Sequence, residues 1–164
     1  MVGSGVEERD LGWNRITREM AKIARDKLVV DIGVIGNEAD EDHGDGLTNV
    51  ILATIHEFGG KKNHPPERSF LRSTMIKNGK RYMDLMRKGS KKFFESGVSG
   101  QDFLGLLGQR VVADVQRTIV KKIPPPLEDA TIDRKGGNKS TPLIDTGQLK
   151  GSITYLVRKE TEGK

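Results

Sequence analysis

From Ser69 to Ile123 apolar residues recur at helical spacing with one short break, and Pro124-Pro125-Pro126 then forbids any continuation. Leu71, Met75, Tyr82, Met86 and Phe93 trace one stripe of a long helix that runs from Ser69 to about Glu95, interrupted only by Gly79 and Gly89. Ser96 to Gly100 breaks it. Ser99, followed three residues later by Asp102, has the form of a capping box, and Leu104, Leu107, Val111, Val115 and Ile119 carry a second helix to Ile123. Two long amphipathic helices with so short a connection form an antiparallel hairpin, and the rest of the chain has to be arranged around it.

Around that hairpin the pattern changes period. Ile16, Met20, Ile23 and Ala24 share one face of a helix between Leu11 and Asp26, which predicts a cover for a sheet. Leu28 to Ile35 alternates, with Val30, Ile32 and Val34 on one face, and is the clearest strand. Ser152 to Arg158 alternates through Ile153, Tyr155 and Val157, so it is the natural antiparallel or parallel mate of that strand. Thr48 is placed to cap a short helix through Glu57, with Ile51, Leu52, Ile55 and Phe58 at helical spacing, and Phe58-Gly59-Gly60 stops it. Lys61 to Arg68, with two prolines, reads as an extended or turned arm. The expected class is α+β: a small, mainly antiparallel sheet packed against an N-terminal helix and a long helical hairpin, in a single domain of 164 residues. Residues 36–46 and 124–142 are expected to be flexible loops and the termini to fray.

Composition narrows the function classes. Zero cysteines exclude disulfides and thiolate metal sites, no apolar run is long enough to span a membrane, and the N-terminus lacks the apolar region of a signal peptide. Only 34% of residues are hydrophobic and 31% are charged, so the core is modest and help from neighbouring subunits is plausible. The net charge of +5 invites a nucleic-acid reading. Against it, Lys77, Lys80, Arg81, Arg87, Lys88, Lys91 and Lys92 spread around a helix without an aromatic stacking series, which favours a solvated face.

Three candidate chemistries can be weighed on residue spacing. Asp145-Thr146-Gly147 after an apolar approach is the pattern around an aspartic-protease carboxylate, but such a site needs two carboxylates, an almost all-β fold and more chain than follows Gly147. The acidic loop 36–46 matches a calcium-binding EF-hand loop only at Asp40 and Asp42, with Gly44, Asp45 and Ile51 at later positions that require other residues. His56-Glu57 lacks a second histidine four residues away, and adjacent helical residues point about 100° apart, so pinning a helix end or a subunit contact is the better role. No metal, cofactor or catalytic residue is expected.

The segment Ala53-Thr54-Ile55-His56-Glu57-Phe58-Gly59-Gly60, followed by Pro65-Pro66-Glu67-Arg68-Ser69-Phe70-Leu71-Arg72, resembles the IHEFG and PxRPFLR signature of phage tail-completion and neck proteins of the minor tail protein Z-like and virion morphogenesis families. Leu143 to Ile153, containing Asp145, Thr146, Gly147, Leu149, Ser152 and Ile153, looks like their second signature. The chain departs where the usual Arg-Pro-Phe becomes Arg68-Ser69-Phe70, and the acidic loop 36–46 is an extra. The resemblance implies a non-enzymatic virion protein, a homo-oligomeric and expectedly hexameric ring at the head-tail junction. Its implied neighbours are a head-connector or stopper protein and a tail terminator or tail tube, with transient contact to phage DNA and no membrane. Assembly would take place in the bacterial cytoplasm. The implied assembly residues make physical sense without catalysis: Ile55, His56, Glu57 and Phe58 end a helix, Gly59 and Gly60 turn the Pro66 arm, and Phe70 and Leu71 anchor the long helix. Arg68 is expected to pair with Glu57 or Asp145, and Asp145 or Thr146 to cap a turn from Gly147 to Lys150. The alternatives are a basic nucleic-acid-binding protein at the DNA channel and, behind it, an aspartic-type protease.

Overall fold

The computed structural model describes residues 13–42, 46–61, 65–136, 141–143 and 147–160. In chain order the elements are α1 (Trp13–Asp26), β1 (Leu28–Val34), a 3-10 turn (Asn37–Asp40), α2 (Asn49–Phe58), α3 (Leu71–Glu95), α4 (Gly100–Val120), α5 (Asp129–Arg134), α6 (Gln148–Gly151) and β2 (Ile153–Lys159). The class is α+β, as the two hydrophobic periods require.

β1 and β2 pair antiparallel, with Val30, Ile32 and Val34 directly opposite Val157, Tyr155 and Ile153. The two alternating stripes therefore merge into one apolar face, and a slip of one strand by one residue would turn its stripe outward. On the other face Asp31 pairs with Arg158. The apolar face rests on α4 at very close range: a Cβ added to Gly108 would stand 2.6 Å from two carbons of the Tyr155 ring. Glycine is thus what lets a strand side chain lie directly on the helix backbone. One turn back, Gly105 leaves ordinary room of 3.6 Å to the Tyr155 hydroxyl.

α3 and α4 form the antiparallel hairpin. Thr74 Oγ1 lies 2.7 Å from Thr118 Oγ1, and the Tyr82 hydroxyl donates to Asp114 at 3.0 Å, so contacts climb α3 as they descend α4. The α4 stripe is where its spacing puts it: Leu104, Val111, Val115 and Ile119 are buried and Leu107 packs beside them. Ser99 caps the helix, accepting from the Asp102 amide at 3.1 Å.

The α3 stripe is different from the expected one. Tyr82 is buried and Leu71 packs against the core, but Met75 and Met86 stay exposed, because the seam with α4 runs through Phe70, Thr74 and Tyr82. Thr74 can lie inside since its hydroxyl also reaches the Phe70 carbonyl at 2.7 Å, which removes the cost of burying it. α1 packs along α3 and α4, with Ile16 buried, Met20 outside and Arg15 donating to the Glu95 carbonyl at 2.7 Å. α2 likewise turns inward through Asn49, Ala53 and Glu57, leaving Ile51 and Phe58 exposed. Phe103, Leu143, Leu149 and Ile153 are the remaining buried apolar residues among the described residues.

The two segments expected to be loops hold structure of their own. Residues 129–134 form α5, which its low apolar content did not suggest. In the acidic loop, Glu41 accepts from Asn49 Nδ2 and Gln148 Nε2, each at 3.2 Å, tying α2 to α6. Among the described residues no helix is long and apolar enough to cross a membrane.

Candidate functional site

The two sequence signatures meet at one place, and the first device there is Glu57. At the last turn of α2 its side chain is buried, and it reaches forward to the start of α3. Oε2 accepts from the amides of Phe70 at 2.8 Å and Leu71 at 2.9 Å, while Oε1 accepts from the Arg72 amide at 2.9 Å and the Ser69 hydroxyl at 2.7 Å. The first turn of a helix carries amides with no partner in the helix and a partial positive charge, and here the preceding helix supplies the carboxylate that satisfies both. Burial pushes the Glu57 carboxyl up, but the bonds from Ser69 and from the Arg72, Leu71 and Phe70 amides outweigh it and hold the group below its ordinary value. Arg72 closes the clasp, with Nε 3.2 Å from Glu57 Oε1 and its guanidinium 4.9 Å from the Phe58 ring centroid. Glu57 therefore pins the N-terminus of the next helix.

The reversal between α2 and α3 needs a tight exit. Gly59 supplies it with φ of +83°, and the Gly60 amide donates to the Pro65 carbonyl at 2.8 Å. The Arg68 amide then donates to the His56 carbonyl at 2.7 Å, so the arm returns along the end of α2.

Arg68 does not make the expected pair with Glu57. Its side chain is buried, and it donates to the carbonyls of Pro125 at 2.9 Å and Pro126 at 3.1 Å rather than to Glu57, whose oxygens are taken by α3. Proline carbonyls suit this role because consecutive prolines in no helix or sheet leave their oxygens without backbone partners. The other expected partner, Asp145, lies outside the described residues, as does Thr146. For the turn that either was expected to cap, the structure places Gly147 at the N-cap with φ of +92°.

Behind Arg68 lies a cleft of about 850 Å³. Leu52 and His56 of α2, Pro65, Pro66 and Arg68 of the arm, Pro125 to Leu127, α5, and Leu143, Gly147 and Leu149 form its walls. His56, Pro66, Arg68, Gly147 and Leu149 thus converge on it from both signatures. Phe70, Leu149 and Ile153 belong to the core beneath, and Ser152 is buried with its hydroxyl donating to the Leu149 carbonyl at 3.0 Å. Ile55 is half-buried, and Phe58 points outward.

His56 is the unusual group in the wall. Among the described residues its Nδ1 is a buried side-chain polar atom without a hydrogen-bond partner. Burial, then the charges of Arg68 and Lys135, push its pKa down to about 4, so the imidazole is neutral in the folded protein at physiological pH. Glu57, its sequence neighbour, has its carboxylate fully engaged elsewhere, and the two do not converge on a common point as metal ligands would.

Sequence reasoning missed the reach of Glu57 to α3, the grip of Arg68 on the proline carbonyls, and α5. It also missed Asp114, a buried carboxylate in the hairpin; Arg110 and Arg117, four before it and three after it, were the readable signal. No protein-family model, curated protein or solved structure matches this chain.

Proposed function

We propose that the chain is a structural virion protein of a tailed bacteriophage or prophage, a neck or tail-completion component that forms a ring, expectedly hexameric, at the head-tail junction. The observation that carries this reading is the convergence of His56, Pro66, Arg68, Gly147 and Leu149, from both signatures, on one cleft, with Glu57 and Arg68 beside it engaged by backbone groups. Glu57 caps α3 and Arg68 clamps the proline run. These two buried side chains fix the chain path around the cleft and are not free to exchange protons with a substrate.

Exposed apolar side chains support assembly. Ile76 is 84% exposed, Met83 68% and Phe58 63%, and a heterologous ring contact would cover such a surface with a different face of the next subunit. Electron microscopy of phage particles made without this protein tests the proposal: unjoined heads and tails are the expected result, and normal virions would overturn it. The protease alternative requires a mostly β architecture, which the helical hairpin does not supply. Peptidase activity that disappears in Asp145→Asn would revive it.

A further inference from the structure

The hairpin has a second polar centre, away from the cleft. Asp114 is buried at the α3–α4 seam and faces three guanidiniums: Arg81, Arg117 at 2.5 Å and Arg110 at 3.8 Å. The Tyr82 hydroxyl donates to the same carboxylate from beneath at 3.0 Å. One carboxylate compensates one of the three positive charges. The surplus is not buried with it, because the arginine side chains are 42%, 48% and 57% exposed for Arg81, Arg110 and Arg117.

Helical spacing extends the same face. Lys77 and Lys88 lie four before and seven after Arg81, on the side of α3 that Arg81 occupies, and Lys121, at the C-cap of α4, follows the row of Arg110, Asp114 and Arg117. On α3 the nearby acid, Asp84, is held by Arg87 at 2.8 Å. In all, α3 carries eight basic residues against Asp84 and Glu95, a larger surplus than that of the whole chain.

We propose that this face, centred on Arg81, Arg110 and Arg117, binds the phosphate backbone of duplex nucleic acid. Asp114 holds the guanidiniums in place before any ligand arrives, so less side-chain freedom is lost on binding, and the planar forks suit phosphate oxygens. An acidic protein is the weaker fit to the lysines of this face, Lys77, Lys88 and Lys121, since protein interface cores are poor in lysine. On α3 the most exposed apolar residues, Ile76 and Met83, lie around the helix from Arg81. The surface is separate from the motif cleft, and the inference stands or falls independently of the assembly reading.

Titration of a fluorescent random-sequence DNA duplex over a salt series tests it. The folded protein should bind, with the logarithm of its affinity falling linearly with the logarithm of salt concentration. Arg110→Gln/Arg117→Gln should lower that slope by about 2, one for each phosphate that is no longer neutralised. Lys77→Gln/Lys88→Gln leaves the Asp114 cluster intact and should do the same, which keeps the test valid if the arginine variant fails to fold. Arg18→Gln/Lys22→Gln, on exposed positions of α1, should leave the slope unchanged. Absence of binding at low salt, an equal loss in the α1 variant, or displacement of the duplex by polyglutamate as readily as by unlabelled DNA would each overturn the proposal.

Discussion

Two buried carboxylates organise this molecule, and their partners set them apart. Glu57 faces three backbone amides and a hydroxyl, with one half-exposed arginine at the edge, so nearly all of its charge is used inside the fold. Asp114 faces three side-chain cations that remain half in water, so the charge it fails to compensate is presented outward. A carboxylate satisfied by backbone fixes a chain path; one outnumbered by guanidiniums fixes a surface.

The sharpest way to break that contrast is to remove each acid. Glu57→Ala should cost about 3–5 kcal/mol in urea unfolding, since it orphans the first amides of α3 and the cap on its dipole. A loss below about 1 kcal/mol would mean water replaces the cap freely. Asp114→Asn should cost about 2–3 kcal/mol, because it can keep a bond to Tyr82 but leaves the arginines to repel one another. The same variant should change the affinity for a DNA duplex at low salt, whereas Glu57→Gln should leave duplex affinity unchanged.

Acid titration next separates Glu57 from its neighbour His56. The folded pKa of His56 is depressed from 6.5 to about 4, so the unfolded chain takes up the proton first as pH falls. Stability from this group is therefore complete above pH 6.5 and is lost as pH drops toward 4, by about 3 kcal/mol. His56→Gln should flatten that window in pH-dependent urea melts and leave a second limb. That limb belongs to Glu57, whose depressed carboxyl contributes above its ordinary value of 4.5 and loses its contribution as pH falls further.

The smallest effect is expected at the exposed edge of the Asp114 cluster. Arg117→Gln should change the stability measured by thermal unfolding by less than about 0.5 kcal/mol, because a side chain more than half in solvent contributes little to stability. A large loss there would show that the arginines are structural and would narrow the difference between the two carboxylates.

Much of the scaffold was legible because its signals are local. The α4 stripe, the Ser99 cap and the matched alternation of β1 and β2 each depend on residues a few positions apart or on a period that survives any tertiary arrangement. The α3 stripe misled because Met75 and Tyr82 look equally apolar, and only the neighbouring helix decides which side is inside. The candidate site was legible as residue types but not as contacts. His56, Glu57 and Arg68 stood out, yet the partner of Glu57 lies 12 to 15 residues ahead and that of Arg68 57 and 58 residues ahead.

The sequence by itself determined the two long helices, the strand pair, the proline stop and the excess of positive charge on α3, because hydrophobic period, ring-locked backbone and formal charge are properties of the chain. Tertiary structure alone decided that Glu57 caps a helix it does not belong to, that Arg68 holds proline carbonyls, and that three arginines share one aspartate. Hydrogen bonds act over about 3 Å, so such assignments exist only once distant segments have been brought together.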